Sequence, residues 1–346
     1  MNGYSRLEKV FHKIVLGSKI IQEISFNLER FLYSSGSAAF SRKPVFVMGL
    51  ARSGTTTLLR LLHETNSFES ITYRDVPFVL MPTIWRNLCQ YFHLQMDPKE
   101  RAHGDSILVD FDSPESFEDV FWRTFSDEPY IKNNAIYAYQ PSLESIEKFR
   151  YYMGLVGNKL GSKKRYLSKN NNNLLRLKPL SDAFPDGKFL VMWRNPLQTA
   201  SSLYKMHCRF SDAQKADPFV LDYMNLIGHY EFGLGHKSFY FKEAFQSEFK
   251  SSEPSYWLAY WIYVHSFLLN SEWDKNIYLI NYEDICTHSK DRLKMLFKNL
   301  EIDLESNPFA SQLKLSMTQD LPDFNKELVR LALKIEALLL EKSFTK

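Results

Sequence analysis

The stretch VFVMGLARSGTTTLLRLLHE, residues 45–64, constrains the fold of this chain more than any other. An uninterrupted β-prone run ends at Gly49, and after Gly54 the apolar residues switch to helical spacing. Such a run reads as a strand covered on both faces, which is the habit of parallel sheets. A strand, a tight glycine turn and a helix in direct succession place backbone N–H groups at the positive end of a helix dipole. Gly54 would let an anion approach those groups, Ser53, Thr55 and Thr56 add hydroxyls, and Arg52 adds a cation. The phosphate-cradling pattern G-x-x-x-x-G-K-[ST] carries a lysine where this chain has Thr55. The loop can therefore hold a phosphate, but it lacks the side chain that reaches the outer phosphates of a triphosphate.

Two further strand candidates follow, KFLVMWR (188–194) and NIYLINYED (276–284). Helical patterns separate and follow them, notably EPSYWLAYWIYVHSFLLNSEW (253–273), SKDRLKMLFKNLEI, and LPDFNKELVRLALKIEALLLEK (321–342). Alternation of this kind predicts an α/β fold with a parallel sheet and right-handed crossovers. The aromatic stripe of 253–273 is read as core. Ligands of such sheets bind beyond the carboxyl ends of the strands. Arg194 stands at one such end, and Ser202 follows eight residues later in the next helix. Alone, Arg194 could be a surface ion pair; beside the first loop, the two side chains could converge on a second phosphate.

The rest of the chain sets bounds. At 346 residues, 45% hydrophobic and 24% charged, it can build a sizeable core. A net charge of +3 gives no case for a nucleic-acid partner. Cys89, Cys208 and Cys286 form no disulfide framework, which fits a reducing, cytoplasmic setting. Nine histidines without a ligand-spaced pair argue for no metal. Lys13, Lys19, Glu23 and Glu29 interrupt the apolar residues near the N-terminus, so no stable membrane insertion is expected. Instead Val10, Phe11, Ile14, Ile20, Ile21, Ile24 and Leu28 predict an amphipathic helix packing on the domain, within an N-terminal segment 1–43. Residues 44–346 read as a single domain. Residues 65–165, rich in prolines, aromatics and charges, read as short helices and loops over a scaffold, and the asparagines at 170–173 as a low-complexity run.

LARSGTTT and WRNPLQTASS together resemble the donor-site motifs of the sulfotransferase family, whose donor is 3′-phosphoadenosine 5′-phosphosulfate. NYED (281–284) looks like that family's later strand-end motif, and YLSKNNNNLLRLKPLSDAFPDGKFLVMWR is similar to its segment leading into the 3′-phosphate strand. The likeness runs from about residue 44 to 300 and is nearest to the carbohydrate- and protein-type enzymes of bacteria. It departs at Ala51, where proline is common, and at Thr57, where the small-phenol enzymes have tryptophan, so no adenine-stacking partner is identified.

The resemblance implies a three-layer P-loop-like fold with a central parallel sheet flanked by helices. Its acceptor-side lid would come from 65–165 and parts of 205–255. The donor site would comprise 44–64 and 188–203. Arg52, with Ser53, Gly54, Thr55 and Thr56, would hold the 5′-phosphosulfate, and Arg194 and Ser202 the 3′-phosphate. Lys169 would follow charge developing on the transferring group, although it could also be a solvated loop lysine. No metal is implied. The acceptor would be a hydroxyl, on a carbohydrate or glycolipid, and would need a general base. Asp75 in ITYRDVPF and His103 in ERAHGDSILVDF, beside Asp105, stand where the family places that base, with Glu115 in DSPESFEDVF a third candidate. Asp75 could equally be a helix cap and His103 a loop histidine. The rivals are a P-loop kinase or nucleotide triphosphatase, which the missing lysine disfavours, and a donor-binding protein without catalysis.

Overall fold

A computed structural model describes residues 5–33, 43–89, 99–100, 108–161, 163–302, 313, 315 and 320–344. Helices α1 (Arg6–Gly17) and α2 (Lys19–Tyr33) come first, then strand β1 (Val45–Gly49) and α3 (Thr55–Glu64). After β2 (Phe68–Glu69) and α4 (Pro82–Cys89) come the short strands β3 (Lys99–Glu100) and β4 (Leu108–Val109). Next are α5 (Asp119–Phe125), β5 (Ala135–Tyr137), α6 (Leu143–Asn158) and β6 (Arg165–Lys169). Then α7 (Leu177–Ala183), β7 (Lys188–Trp193), α8 (Pro196–Ala216), α9 (Pro218–Leu226) and β8 (Ser238–Tyr240) follow. The chain continues through α10 (Pro254–Leu269), β9 (Ile277–Asn281), α11 (Tyr282–Thr287), α12 (Ser289–Asn299) and α13 (Lys326–Lys342).

The central sheet has the order β2-β6-β1-β7-β9, and every pairing in it is parallel. The fold is α/β, with helices covering a parallel sheet. Its strands are apolar throughout because both faces are buried. Phe46 and Met48 of β1 enter one core cluster with Phe189, Val191 and Trp193, while Val45 and Val47 enter the other with Leu190, Met192 and Ile280. The period-2 alternation of side chains thus divides one apolar run between two cores. The three strands expected from the sequence appear as β1, β7 and β9. Strand β6 went unread, although it separates β2 from β1 and carries Lys169 at its end.

The stretch 65–165 carries short helices such as α4 and α5, as expected, but it also enters the core instead of only covering it. Phe117, Phe121, Trp122, Phe149 and Tyr152 are at most 1% exposed and belong to the larger core cluster. The aromatic stripe of α10 is core as expected: Trp257, Tyr260, Trp261 and Val264 are buried, and the helix lies against α8 and α13.

The N-terminal reading needs correction in two respects. The chain breaks at Ser18 into two helices instead of one, and the faces are exchanged. Val10, Phe11, Ile14, Ile20, Ile24 and Leu28 are exposed, whereas Val15, Leu16, Gln22, Ser25, Phe26 and Glu29 are buried. Phe26 packs edge-on against Phe121 and Phe125. Glu29 is buried because it has work at the neighbouring helix. Its carboxylate accepts from Thr83 N at 2.7 Å and Ile84 N at 3.0 Å, capping α4. Apolar content alone could not show which face met the domain. Among the described residues no helix is long and apolar enough to cross a membrane.

Candidate active site

The strand order places the carboxyl ends of β6, β1, β7 and β9 side by side, so the segments after them share one crevice. The loop after β1 is shaped by close approaches. A Cβ on Gly49 would lie 2.3 Å from the Met192 carbonyl oxygen of the neighbouring strand. Gly54 begins α3 at φ 90°, and a Cβ there would meet the Tyr282 ring at 2.2 Å. Arg52 itself is left-handed at φ 72°. Ser53 is buried and spends its hydroxyl on the Leu50 carbonyl at 2.7 Å, so it holds the turn closed. Thr55 and Thr56 open α3, which has no side-chain cap at Gly54.

The segment after β7 starts its helix with its own residues. Asn195 accepts from Leu197 N and Gln198 N at 3.1 Å each, and Pro196 occupies the first turn. Asn-Pro therefore builds the helix start, which leaves Arg194 at the strand end. The Arg194 guanidinium stands 5.0 Å over the Tyr282 ring, and its Nε is 3.4 Å from Glu283 Oε1. NYED is thus the platform on which Arg194 rests. The two motifs meet directly: Arg52 Nε donates to Ser202 Oγ at 2.9 Å, across 150 residues of sequence. Arg52, Gly54, Arg194 and Ser202 are gathered at one sheet edge.

A sequence model of the sulfotransferase family matches residues 44–306. The chain belongs to the sulfotransferase family. No curated protein matches it in sequence. Among solved structures, a sulfotransferase from Mycobacterium avium covers 96% of this chain and 84% of its own at 12% identity, with a TM-score of 0.51. That likeness concerns the fold. A sulfotransferase from Mycobacterium tuberculosis covers 95% and 84% at 14% identity, with a TM-score of 0.48. One from Alicyclobacillus acidocaldarius covers 87% and 95% at 18%, with a TM-score of 0.38.

Lys169 of this sulfotransferase is not a solvated loop residue. It ends β6, is 7% exposed, and its Nζ lies 3.4 Å from Glu115 Oε1. Glu115 also accepts from Tyr73 Oη at 3.2 Å and from its neighbour Ser116 N at 2.9 Å. Asp75 is placed otherwise. It is fully buried in the three-residue 3-10 turn 73–75, where Oδ2 accepts from Thr72 N at 2.8 Å and Thr72 Oγ1 at 3.1 Å. Lys159 Nζ stands 3.2 Å from Oδ2, and Arg86 Nε 3.4 Å from Oδ1. A carboxylate held by a cap and two cations does structural work. His103 and Asp105 lie outside the described residues. Among the described residues, no cluster of three or more His, Cys, Asp or Glu side chains could hold a metal ion.

Sequence reading missed the polar core behind Lys169. Asn170 and Asn172 each donate to Asp119 at 2.9 Å, and Asn173 donates to Glu118 at 2.8 Å. Arg176 pairs with Asp119, and Tyr166 Oη donates to Glu118 at 3.0 Å. The asparagine run is a buried network that fixes the chain as it leaves β6. Two adjacent carboxylates (118, 119) and four consecutive asparagines were the available signal. Buried polar groups of this kind are normally satisfied by one another.

Proposed function

We propose that this enzyme transfers the sulfuryl group of 3′-phosphoadenosine 5′-phosphosulfate to an acceptor hydroxyl on a carbohydrate or glycolipid. The observation that carries the reading is the Arg52–Ser202 hydrogen bond, which joins the loop after β1 to the helix after β7. One anion site at each would suit a donor with phosphates at both ends of its ribose. The loop fits the 5′-phosphosulfate: its glycines allow close approach, and the start of α3 has no side-chain cap. Arg52 and the backbone of 53–56 would hold that end. Arg194, with Ser202, would hold the 3′-phosphate. When bound, the donor supplies an activated sulfur with a phosphate leaving group.

The remaining work falls to side chains at the end of β6. Lys169 would compensate negative charge growing on the bridging oxygen as the sulfur–oxygen bond breaks, an interaction strongest in the transition state. Glu115, the carboxylate beside it, would take the proton of the acceptor hydroxyl as that oxygen bonds to sulfur. The commitments of Asp75 to Lys159, Arg86 and Thr72 favour Glu115 over it. Glu115 was the third choice from sequence.

Thermal denaturation tests the donor class without an acceptor. 3′,5′-Adenosine bisphosphate should raise the melting temperature and ATP–magnesium should not. A ligand at a hundredfold excess over its Kd stabilises the native state by about 2.7 kcal/mol. Equal shifts from the two nucleotides would overturn the reading.

A further inference from the structure

Helices α1 and α2 each carry a second apolar stripe, turned away from the domain. On α1, Leu7, Val10, Phe11 and Ile14 recur at i, i+3, i+4 and i+7. On α2, Ile20, Ile24, Leu28 and Leu32 recur at every fourth residue. These side chains are 42–83% exposed. The domain is not their partner, because the inner faces already have theirs. Val15, Leu16 and Phe26 are buried against it. Lys9 reaches Asp217 at the start of α9 at 2.6 Å, Gln22 donates to the Val15 carbonyl at 2.9 Å, and Glu29 caps α4. A helix on the surface of a monomer needs one apolar stripe, facing its own core. A second stripe on each of two touching helices calls for a second partner.

Area and charge say what that partner is. At these exposures the two stripes leave on the order of 800 Å2 uncovered, above the roughly 300–600 Å2 of the largest patch on an ordinary monomer and equal to the share of each partner in a standard interface. An anionic bilayer would hold such helices through an excess of lysines and arginines beside the apolar face. Here Lys9 pairs with Asp217, Lys13 with Asp222 and Lys19 with Glu23, and the Arg30 guanidinium lies 5.7 Å from the centre of the Tyr151 ring. With its cations matched inside the chain, this face fits an uncharged apolar protein surface and not an acidic lipid one. A second copy presents such a surface, of the same area, and a two-fold axis sets like stripes against each other.

We propose that α1 and α2 form a homodimer interface, in which the outer stripes of one copy pack on those of another. Neither donor nor acceptor enters the test, which is therefore independent of the sulfuryl-transfer reading. Sedimentation velocity of the full chain over a wide concentration range should show a species of twice the monomer mass that dissociates on dilution. Ile14→Glu and Ile24→Glu each put a charge into one stripe at a position that the monomer leaves exposed. The far-ultraviolet circular dichroism should be unchanged, while the dimer Kd rises by about a hundredfold or more, because the charge would be buried unpaired. If a variant does not fold, hydrogen exchange on the unaltered protein decides: amides of α1 and α2 should be better protected where the dimer forms than in dilute solution. A monomer at every concentration overturns the proposal, and so does a dimer that both variants leave intact. A monomer that floats with phosphatidylserine vesicles overturns it as well, and would make the stripes a membrane contact.

Discussion

At the scale of single residues, the proposed roles at the two phosphates and at the reacting centre can be separated by ligand. Arg194→Ala should weaken 3′,5′-adenosine bisphosphate about ten- to a hundredfold, the equivalent of roughly 1.5–3 kcal/mol for a charge-assisted hydrogen bond. Adenosine 5′-phosphosulfate lacks the 3′-phosphate and should be nearly indifferent; calorimetry with both ligands decides, and equal losses would remove Arg194 from that role. Lys169→Ala should lower kcat far more than affinity for the bisphosphate, which carries no sulfuryl group for the lysine to follow. Normal turnover with weakened binding would make Lys169 a binding residue only. Glu115→Gln should abolish turnover and Asp75→Asn should not, provided the latter folds. That Arg52 and Arg194 follow strands and that Ser202 lies in the next helix was legible from the sequence; the place of Lys169 at the end of β6 was not, because that strand went unread. Nor was the ranking of carboxylates. Thr72-Tyr73-Arg74-Asp75 matches the [ST]-x-x-[DE] capping box, and the structure has both of its hydrogen bonds. Glu115 could be ranked only once its distance to Lys169 was known.

At the scale of elements, legibility followed burial. β1, β7 and β9 were readable because helices cover both of their faces and their sequences are correspondingly apolar. β6 was not, since Arg165, Ser168 and Lys169 give RYLSK a polar texture, although Tyr166 and Leu167 are buried and Ser168 and Lys169 are 7% exposed. Its polar end serves the crevice, which is why the propensity signal fails there. The loop after β1 makes a sharper prediction. Gly54→Ala would put a methyl group into the Tyr282 ring and a side chain at φ 90°. The backbone term alone is about 1–2 kcal/mol. The variant should lose stability in urea and lose its shift with the bisphosphate. Glu29→Ala offers the contrast. It removes the cap of α4, at a cost of about 0.5–2 kcal/mol, yet lies on the N-terminal helices and should leave bisphosphate affinity unchanged. Loss of affinity in Glu29→Ala would show that α2 shapes the proposed donor site.

At the scale of the whole molecule, the sheet is one wall of the core and the stack of α8, α10 and α13 is another. That stack encloses a titratable group. His265 in α10 is fully buried, its ring 4.0 Å from that of Trp261 and its Nδ1 2.8 Å from the Trp261 carbonyl oxygen. Its Nε2 has no partner. Burial pushes its pKa down to about 4, from an ordinary value of 6.5. Between those values the unfolded chain binds a proton that the folded chain does not. Stability therefore falls as pH drops through that window, by up to about 1.4 kcal/mol per pH unit from this residue. Above pH 7 the imidazole is neutral in both states and contributes no slope. Other groups titrate in the same range, so the variant must isolate the effect. His265→Phe keeps a ring beside Trp261 and removes both nitrogens. Relative to the unaltered protein, its unfolding free energy should improve steadily as pH is lowered from 6.5 towards 4, with a constant offset above pH 7. Urea unfolding at five or six pH values would measure that difference. A difference that does not change with pH would mean that the His265 ring is protonated as readily inside the fold as outside it, and that the helix stack admits water.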